Sequence, residues 1–239
     1  MGKKPHNRGG HGPKQSKAMK YQIRADIKVN GTVQRKDIIG AIMGQTEGLL
    51  GDELELRKLA SSGQSPSTMI ISCCDSRIHP TSIFGADEGE FFIHRNIANL
   101  VPPYSPDGEN HGTSAAIEYA IKELKIKHLI ILGHKDCGGI KYGHHMHSNS
   151  ANPNYEFINK WVSIILPAFN KIQKDVSGQK QINQLEEESI KVSIDNLFNF
   201  SFVKKAIEDN NLLIHGLIHD IGSGNLQYLN PVTKNFENL

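Results

Sequence analysis

The sequence predicts an α/β fold in which a mainly parallel central β-sheet is flanked by helices. Short apolar runs that are typical of buried parallel strands occur at residues 69–73, 90–93 and 128–132. Between the second and third runs, residues 113–124 carry apolar side chains at helical spacing. Strand, helix and strand in this order indicate a parallel sheet with helical crossovers.

The N-terminal part of the chain has no strand pattern. Residues 1–20 are basic, rich in Gly and His and nearly free of large apolar side chains, which predicts a disordered tail. Residues 33–60 mix apolar pairs with charged residues, as an amphipathic helical segment does. We therefore expect a single α/β domain over residues 21–239, preceded by the tail.

The second half of the chain predicts helices and a final hairpin. Residues 141–154 are polar and predict a loop. Residues 157–172 predict a helix that an internal proline kinks or divides, and residues 182–200 predict a further helix. Two apolar runs, separated by a Gly-containing turn, predict paired strands at residues 212–218 and 226–229.

The composition excludes several classes of protein. The chain has 239 residues, 38% of them hydrophobic, and a net charge of +2, as ordinary soluble globular proteins do. It contains no apolar stretch long enough to span a membrane, and its first twenty residues lack the apolar centre of a signal peptide. We therefore expect a cytoplasmic protein that does not bind a membrane. We also expect no binding to nucleic acid, since the tail has no aromatic residues among its basic ones.

The cysteines point to a metal. There are 3 of them, and this small odd number argues against a disulfide framework. Cys73 ends one predicted strand, and His134 and Cys137 follow another, so all three are expected at the carboxyl edge of the sheet. Thiolate and imidazole are ligands that Zn²⁺ prefers, and three protein ligands leave a position open for water. The sequence therefore predicts a catalytic site with one Zn²⁺ per subunit.

Neighbouring residues support a catalytic site. Asp75 and Arg77 can form a bidentate ion pair, and the anchored carboxylate can then accept a hydrogen bond from water at the metal. Gly138 and the glycine after it allow close approach to backbone N–H groups at a helix start, so we count Gly138 among the substrate-binding residues. Cys74 is expected to face the core, because successive side chains on a strand point to opposite faces.

The pattern Cys-x-Asp-x-Arg, followed by His-x-x-Cys, resembles the zinc-site motif of the β-class carbonic anhydrases. The resemblance begins near Gln64 and includes the blocks GQSPSTMIISCCDSRIHP, GEFFIHRNIANLVPPY, GTSAAIEYAIKELKIKHLIILGHKDCGGI and IHGLIHDIGSGNL. It implies a zinc-dependent carbonate dehydratase, a lyase that reversibly hydrates carbon dioxide to bicarbonate and a proton by means of zinc-bound hydroxide. It also implies a homodimer or homotetramer.

The resemblance further implies the residues that bind substrate. Gln64 stands where a glutamine hydrogen-bonds the substrate in plant-like members, and Phe92, Ile97 and Tyr119 match an apolar wall around carbon dioxide. Such a wall suits a small nonpolar substrate. These residues need not belong to the subunit that binds the zinc. Ile70 stands where bicarbonate-inhibited members have Trp, so the resemblance implies the open form of the zinc site.

Other interpretations of the same residues stay open. The fold and ligands also suit a hydrolase of carbon disulfide or carbonyl sulfide, although Gln64 and the apolar residues favour carbon dioxide. A non-catalytic structural zinc protein would be expected to use four protein ligands and would not need an Asp–Arg pair. A dithiol redox protein is the least favoured, because the chain has no Cys-x-x-Cys.

Overall fold

The structure, a computed structural model, describes residues 59–149, 152–173, 175 and 178–239. The strands are β1 (Thr68–Cys73), β2 (Phe91–Asn96), β3 (His128–His134), β4 (Leu213–His219), β5 (Leu226–Leu229) and β6 (Phe236–Asn238). They form one sheet in the order β2-β1-β3-β4-β5-β6. The pairs among the first four strands are parallel, and the pairs that β5 makes with β4 and β6 are antiparallel. The predicted α/β fold with a mainly parallel sheet is confirmed.

Helices flank this sheet. They are α1 (Pro80–Phe84), α2 (Gly112–Lys122), α3 (Gly138–Ser148), α4 (Ile158–Val162), α5 (Leu166–Phe169), α6 (Gln179–Leu197) and α7 (Ser201–Glu208), with 3₁₀ turns at Ile97–Asn99 and Ser163–Ile165. Over the described ranges, no helix is both long and apolar enough to cross a membrane.

Both faces of the central strands are buried. Every residue of β1 and β3 is buried. On one face Met69 and Leu129 belong to a core cluster that also contains residues of α2, α6 and α7, and on the other face Ile70 and Ile130 pack with Phe84 of α1. A strand that is buried on both sides needs apolar residues at successive positions, which explains why these strands are uninterrupted apolar runs in the sequence.

The predicted loop over residues 141–154 is wrong, because α3 extends to Ser148. The segment has few apolar residues to mark it as helical. At one position, Gly143, the absence of a side chain is what allows the helix to pack closely. Gly143 lies so close to Ile165 that a Cβ atom added to it would be 2.3 Å from the Ile165 Cδ1 atom. The helix predicted over residues 157–172 is divided, as the proline suggested: Pro167 lies in the first turn of α5.

Two predicted segments cannot be compared with the structure. The tail over residues 1–20 lies outside the described residues, and so does nearly all of the helical segment predicted at 33–60.

The final hairpin is confirmed, with Leu217 of β4 opposite Tyr228 of β5. Strand β6 and helices α1 and α7 are additions that the sequence analysis did not predict.

Candidate metal centre

Three predicted metal ligands meet at the carboxyl edge of the sheet. Cys73 is the last residue of β1, His134 is the last residue of β3, and Cys137 precedes the first residue of α3. Their ligand atoms lie within 4.8 Å of one another, and all three side chains are buried. Because β1 and β3 are adjacent and parallel, their last residues are brought together by the sheet itself.

The His134 ring is oriented for metal binding. Its Nδ1 atom lies 3.0 Å from the carbonyl oxygen of Lys135, to which an Nδ1–H group can donate. Its Nε2 atom is buried and has no hydrogen-bond partner among the described residues. A buried ring nitrogen without a partner is costly unless a ligand satisfies it, and the Nδ1 bond selects the tautomer whose Nε2 lone pair is free for a metal.

The two thiols interact strongly. Their sulfur atoms are 3.9 Å apart. The Cys137 thiol and the His134 ring stabilise the Cys73 thiolate and lower the pKa of Cys73 to about 4. That negative charge, together with burial, raises the pKa of Cys137. Two buried thiolates repel each other, and a divalent cation between them would relieve this repulsion.

Asp75 lies beside the ligands and is held by Arg77. The Arg77 Nε atom donates to Asp75 Oδ1 at 2.9 Å, and Nη2 donates to Oδ2 at 2.7 Å. This pairing holds the pKa of Asp75 well below its usual range, so the carboxylate stays anionic. Asp75 Oδ2 is 3.9 Å from His134 Nε2, which places a hydrogen-bond acceptor at the edge of the ligand set. The predicted Asp–Arg pair is therefore present.

The sequence analysis missed two charged residues that support the ligand loops. Arg95 on β2 donates from Nε to the Cys73 carbonyl oxygen at 2.9 Å and from Nη2 to the Asp75 carbonyl oxygen at 2.7 Å. Glu186 on α6 accepts from the backbone N–H group of Cys137 at 3.0 Å. The sequence held one signal for Glu186, because it lies four residues before the apolar Ile190 on the inward face of its helix.

The other predicted site residues do not all lie at the ligands, because Phe92 is opposite Met69, four residues before Cys73 on β1. Ile97 lies against the Cα atom of Gly139, at the start of α3, and its side chain is 39% exposed. Phe92 and Tyr119 form an aromatic pair with ring centroids 5.9 Å apart, and Tyr119 is 47% exposed. Their contacts with substrate stay predictions.

Gln64 and Gly138 also lie at accessible places. Gln64 is exposed in the stretch that leads into β1, and Gly138 begins α3 with open space around its Cα atom. The prediction that Cys74 faces the core is wrong, because its side chain is exposed. β1 ends at Cys73, so the alternation of side chains along a strand no longer decides where Cys74 points.

Comparisons with known proteins agree on one family. The family model described as carbonic anhydrase matches residues 68–226. The protein named beta carbonic anhydrase 3 from Arabidopsis thaliana is 38% identical over 167 residues, which are 69% of this chain and 64% of the relative. The match thus covers slightly less than two thirds of that relative's length.

Solved structures of β-carbonic anhydrases have the same fold. The structure of the β-carbonic anhydrase CcaA superposes with a TM-score of 0.70 at 26% identity, covering 84% of this chain and 98% of the other. A tetrameric β-carbonic anhydrase from the ascomycete Sordaria macrospora superposes with a TM-score of 0.62 at 30% identity, covering 73% of this chain and 85% of the other.

Proposed function

Because this chain belongs to the carbonic anhydrase family and is related to its β-class members, we propose that it catalyses the reversible hydration of carbon dioxide to bicarbonate and a proton. The observation that carries the proposal is the buried ligand set of Cys73, His134 and Cys137 with the anchored carboxylate of Asp75 beside it. Three metal ligands next to a fixed hydrogen-bond acceptor suit a site that activates water.

Zn²⁺ fits this ligand set. Two sulfurs and one imidazole nitrogen are donors of the kind that Zn²⁺ prefers, and the His134 Nε2 atom, which is buried without a hydrogen-bond partner in the described part of the chain, would be satisfied by the ion. Cys73, His134 and Cys137 would bind the ion. When bound, Zn²⁺ acts as a Lewis acid that lowers the pKa of water and so supplies a nucleophile near neutral pH.

Asp75 and Arg77 have the orienting role in this proposal. Asp75 can only accept hydrogen bonds while it is ionised, so a water molecule at the metal would donate to it and direct a lone pair towards the substrate carbon. Arg77 engages both carboxylate oxygens and holds Asp75 in an ion pair. This arrangement supports the open form of the site, in which the aspartate is not a metal ligand.

The proposed substrate-binding residues are those that the resemblance implies, and the positions of Ile97 and Gly138 support two of them. Ile97 provides an apolar surface beside the start of α3, where Gly138 leaves room above the backbone. We assign carbon dioxide to this side of the ligand set, because a small nonpolar molecule favours apolar walls. We assign Phe92, Tyr119 and Gln64 to the same pocket as residues of a neighbouring subunit, because Phe92 lies opposite Met69, four residues before Cys73 on β1, and Tyr119 is partly exposed.

We also propose that the chain works as a homo-oligomer, a dimer or a tetramer, in a reduced compartment such as the cytoplasm. The Sordaria macrospora relative is described as tetrameric, and large apolar side chains such as Ile97 and Tyr119 are partly exposed. A reduced compartment keeps Cys73 and Cys137 as free thiols that can bind a metal. Sedimentation equilibrium would measure the subunit number, and a monomer at micromolar concentration would contradict the first part.

The experiment that tests the function compares substrates. Purified zinc-loaded protein is mixed in a stopped-flow instrument with carbon dioxide and, separately, with carbonyl sulfide. We expect rapid hydration of carbon dioxide and little hydrolysis of carbonyl sulfide. Hydrolysis of carbonyl sulfide without hydration of carbon dioxide would move the chain to the sulfur-substrate hydrolases, and no turnover of either would favour a structural zinc protein.

A further inference from the structure

A buried carboxylate lies directly behind the metal ligands. Glu186, on α6, has only 2% of its surface exposed. Carboxylates are rarely buried without partners, because removing a charge from water is costly. The proposed hydration reaction gives Glu186 no part, since the water-orienting carboxylate is Asp75. The contacts of Glu186 therefore need another explanation.

Glu186 contacts the turn that carries a metal ligand. Its Oε1 atom accepts a hydrogen bond from the Cys137 backbone N–H group at 3.0 Å, while its Oε2 atom is buried without a hydrogen-bond partner among the residues the structure describes. The next helix residue, Glu187, forms an ion pair with Lys135 at 2.9 Å. Two successive acidic residues of α6 thus bind two residues of the turn between β3 and α3.

This turn needs support. Asp136, between Lys135 and Cys137, has a φ of 64°, a left-handed conformation that is uncommon for residues other than glycine, although Asp adopts it more readily than most. A strained turn persists only where its surroundings stabilise it. The Glu186 bond acts on the Cys137 amide, one residue after the strained position, and so fixes the backbone from which the Cys137 sulfur projects.

We infer that Glu186 is a positioning residue for the metal centre, because its buried carboxylate binds the Cys137 amide and keeps the Cys137 sulfur in place to bind the metal. The inference rests on the proposed zinc site. In this role Glu186 is a hydrogen-bond acceptor and takes no part in the reaction itself. Without an acceptor, the buried Cys137 amide would be left unpaired, and the turn would lose the bond that holds it to α6. Outer residues that orient metal ligands typically change metal affinity by about tenfold to a hundredfold when they are replaced.

The test measures zinc release from the loaded protein to an excess of a chromogenic chelator. Glu186→Met and Glu186→Gln have similar length and shape, but only Gln offers an oxygen to the Cys137 amide. Glu188→Met is the matched control, since it removes a carboxylate from the same helix, and that carboxylate accepts a hydrogen bond from Lys191 at 2.6 Å. Circular dichroism and thermal unfolding of each preparation show whether it is folded.

We expect Glu186→Met to release zinc about tenfold to a hundredfold faster than the wild type, Glu186→Gln to stay within about threefold of it, and Glu188→Met to match it. Glu186→Asp keeps the charge but shortens the reach by one methylene, so it is also expected to release zinc faster. This variant keeps the inference testable if the Met variant does not fold.

Several results would overturn the inference. One is a folded Glu186→Met, or a folded Glu186→Asp, that releases zinc as slowly as Glu188→Met. Another is a Glu186→Gln that loses zinc as fast as Glu186→Met, because the acceptor oxygen would then be irrelevant. A wild-type protein that binds no zinc would contradict the proposed function as well, whereas a zinc-loaded wild type with unaltered variants contradicts this inference alone.

Discussion

Helix α6 approaches the sheet at two glycines, and adding a methyl group there tests the packing that supports the metal centre. Ile190 of α6 is fully buried between Gly133 of β3 and Gly216 of β4. A Cβ atom at Gly133 would be 2.6 Å from the Ile190 Cδ1 atom and 3.1 Å from Cγ1. A Cβ atom at Gly216 would instead be 2.9 Å from Cγ2. The two glycines thus meet different atoms of one side chain.

The geometry gives the expected cost of Gly133→Ala. Carbon atoms pack favourably at roughly 3.5–4.0 Å, so the new methyl group must move Cδ1 by about 1 Å. Such overpacking costs about 1–3 kcal/mol, and removing a glycine from a strand offsets about 0.5–1 kcal/mol of it. We expect a net loss of about 1–2 kcal/mol, which lowers the Tm of a chain of this size by about 2–8 °C.

Ile190→Val is the compensating change, because it removes Cδ1 and keeps both γ carbons. Alone it is expected to cost about 0.5–1.5 kcal/mol. In the Val background Gly133→Ala keeps only the 3.1 Å contact with Cγ1, so it is expected to cost about 1 kcal/mol less than in the wild type, which is the coupling energy. Gly216→Ala meets Cγ2, which valine retains, so Ile190→Val is not expected to rescue it.

Thermal and urea unfolding of the single and double variants measure this coupling. If the effects of Gly133→Ala and Ile190→Val on the free energy of unfolding add within about 0.5 kcal/mol, the two sites are independent and the predicted clash is refuted. It is also refuted if Ile190→Val rescues Gly133→Ala and Gly216→Ala equally, because the effect would then come from general loosening of α6.

Two further predictions concern charged and titrating groups. Burial beside His128 lowers the pKa of His215 from its usual 6.5 to about 3. Between these two pH values the unfolded chain binds more protons than the folded chain, so the free energy of unfolding falls as the pH falls. Between pH 7 and pH 5 the His215 shift is expected to lower the free energy of unfolding, measured with urea, by about 2 kcal/mol. His215→Phe should remove this part of the loss, and an equal loss in the wild type and the variant would show that His215 is not its source. Arg95→Met removes both donors to the Cys73 and Asp75 carbonyls and should lower kcat/KM for hydration by about tenfold to a hundredfold. Arg95→Lys should stay impaired because it lacks the guanidinium fork, and full activity of the Lys variant would show that charge alone suffices.

The metal ligands could be predicted from sequence because local rules place them. Cys73 and His134 end apolar runs that are recognisable as buried strands, and parallel strands bring their carboxyl ends to one edge. Asp75 and Arg77 are two residues apart, so their pairing is also local. These predictions needed no knowledge of how distant segments pack.

The parts that were missed depend on packing between distant segments. Glu186 reaches the Cys137 amide across 49 positions of sequence, and the two residues that follow it, Glu187 and Glu188, are partly exposed acids that look the same in sequence. Helix α3 has few apolar residues to mark it as helical, and it contains Gly143, a weak helix former whose small size lets Ile165 approach. Cys74 was misplaced because the strand ends one residue earlier than the alternation requires. None of these outcomes has a local signal strong enough to decide it.

The protein is proposed to hydrate carbon dioxide with Zn²⁺ held by Cys73, His134 and Cys137. The most direct test is stopped-flow hydration with a pH indicator, on wild-type protein and Cys73→Ser whose zinc contents are measured in the same preparations. We predict about one zinc per chain and rapid hydration for the wild type, and loss of both in folded Cys73→Ser. A fully zinc-loaded wild type that hydrates no carbon dioxide at any pH up to about 9 would contradict the account, since a metal-activated water should be reactive by then.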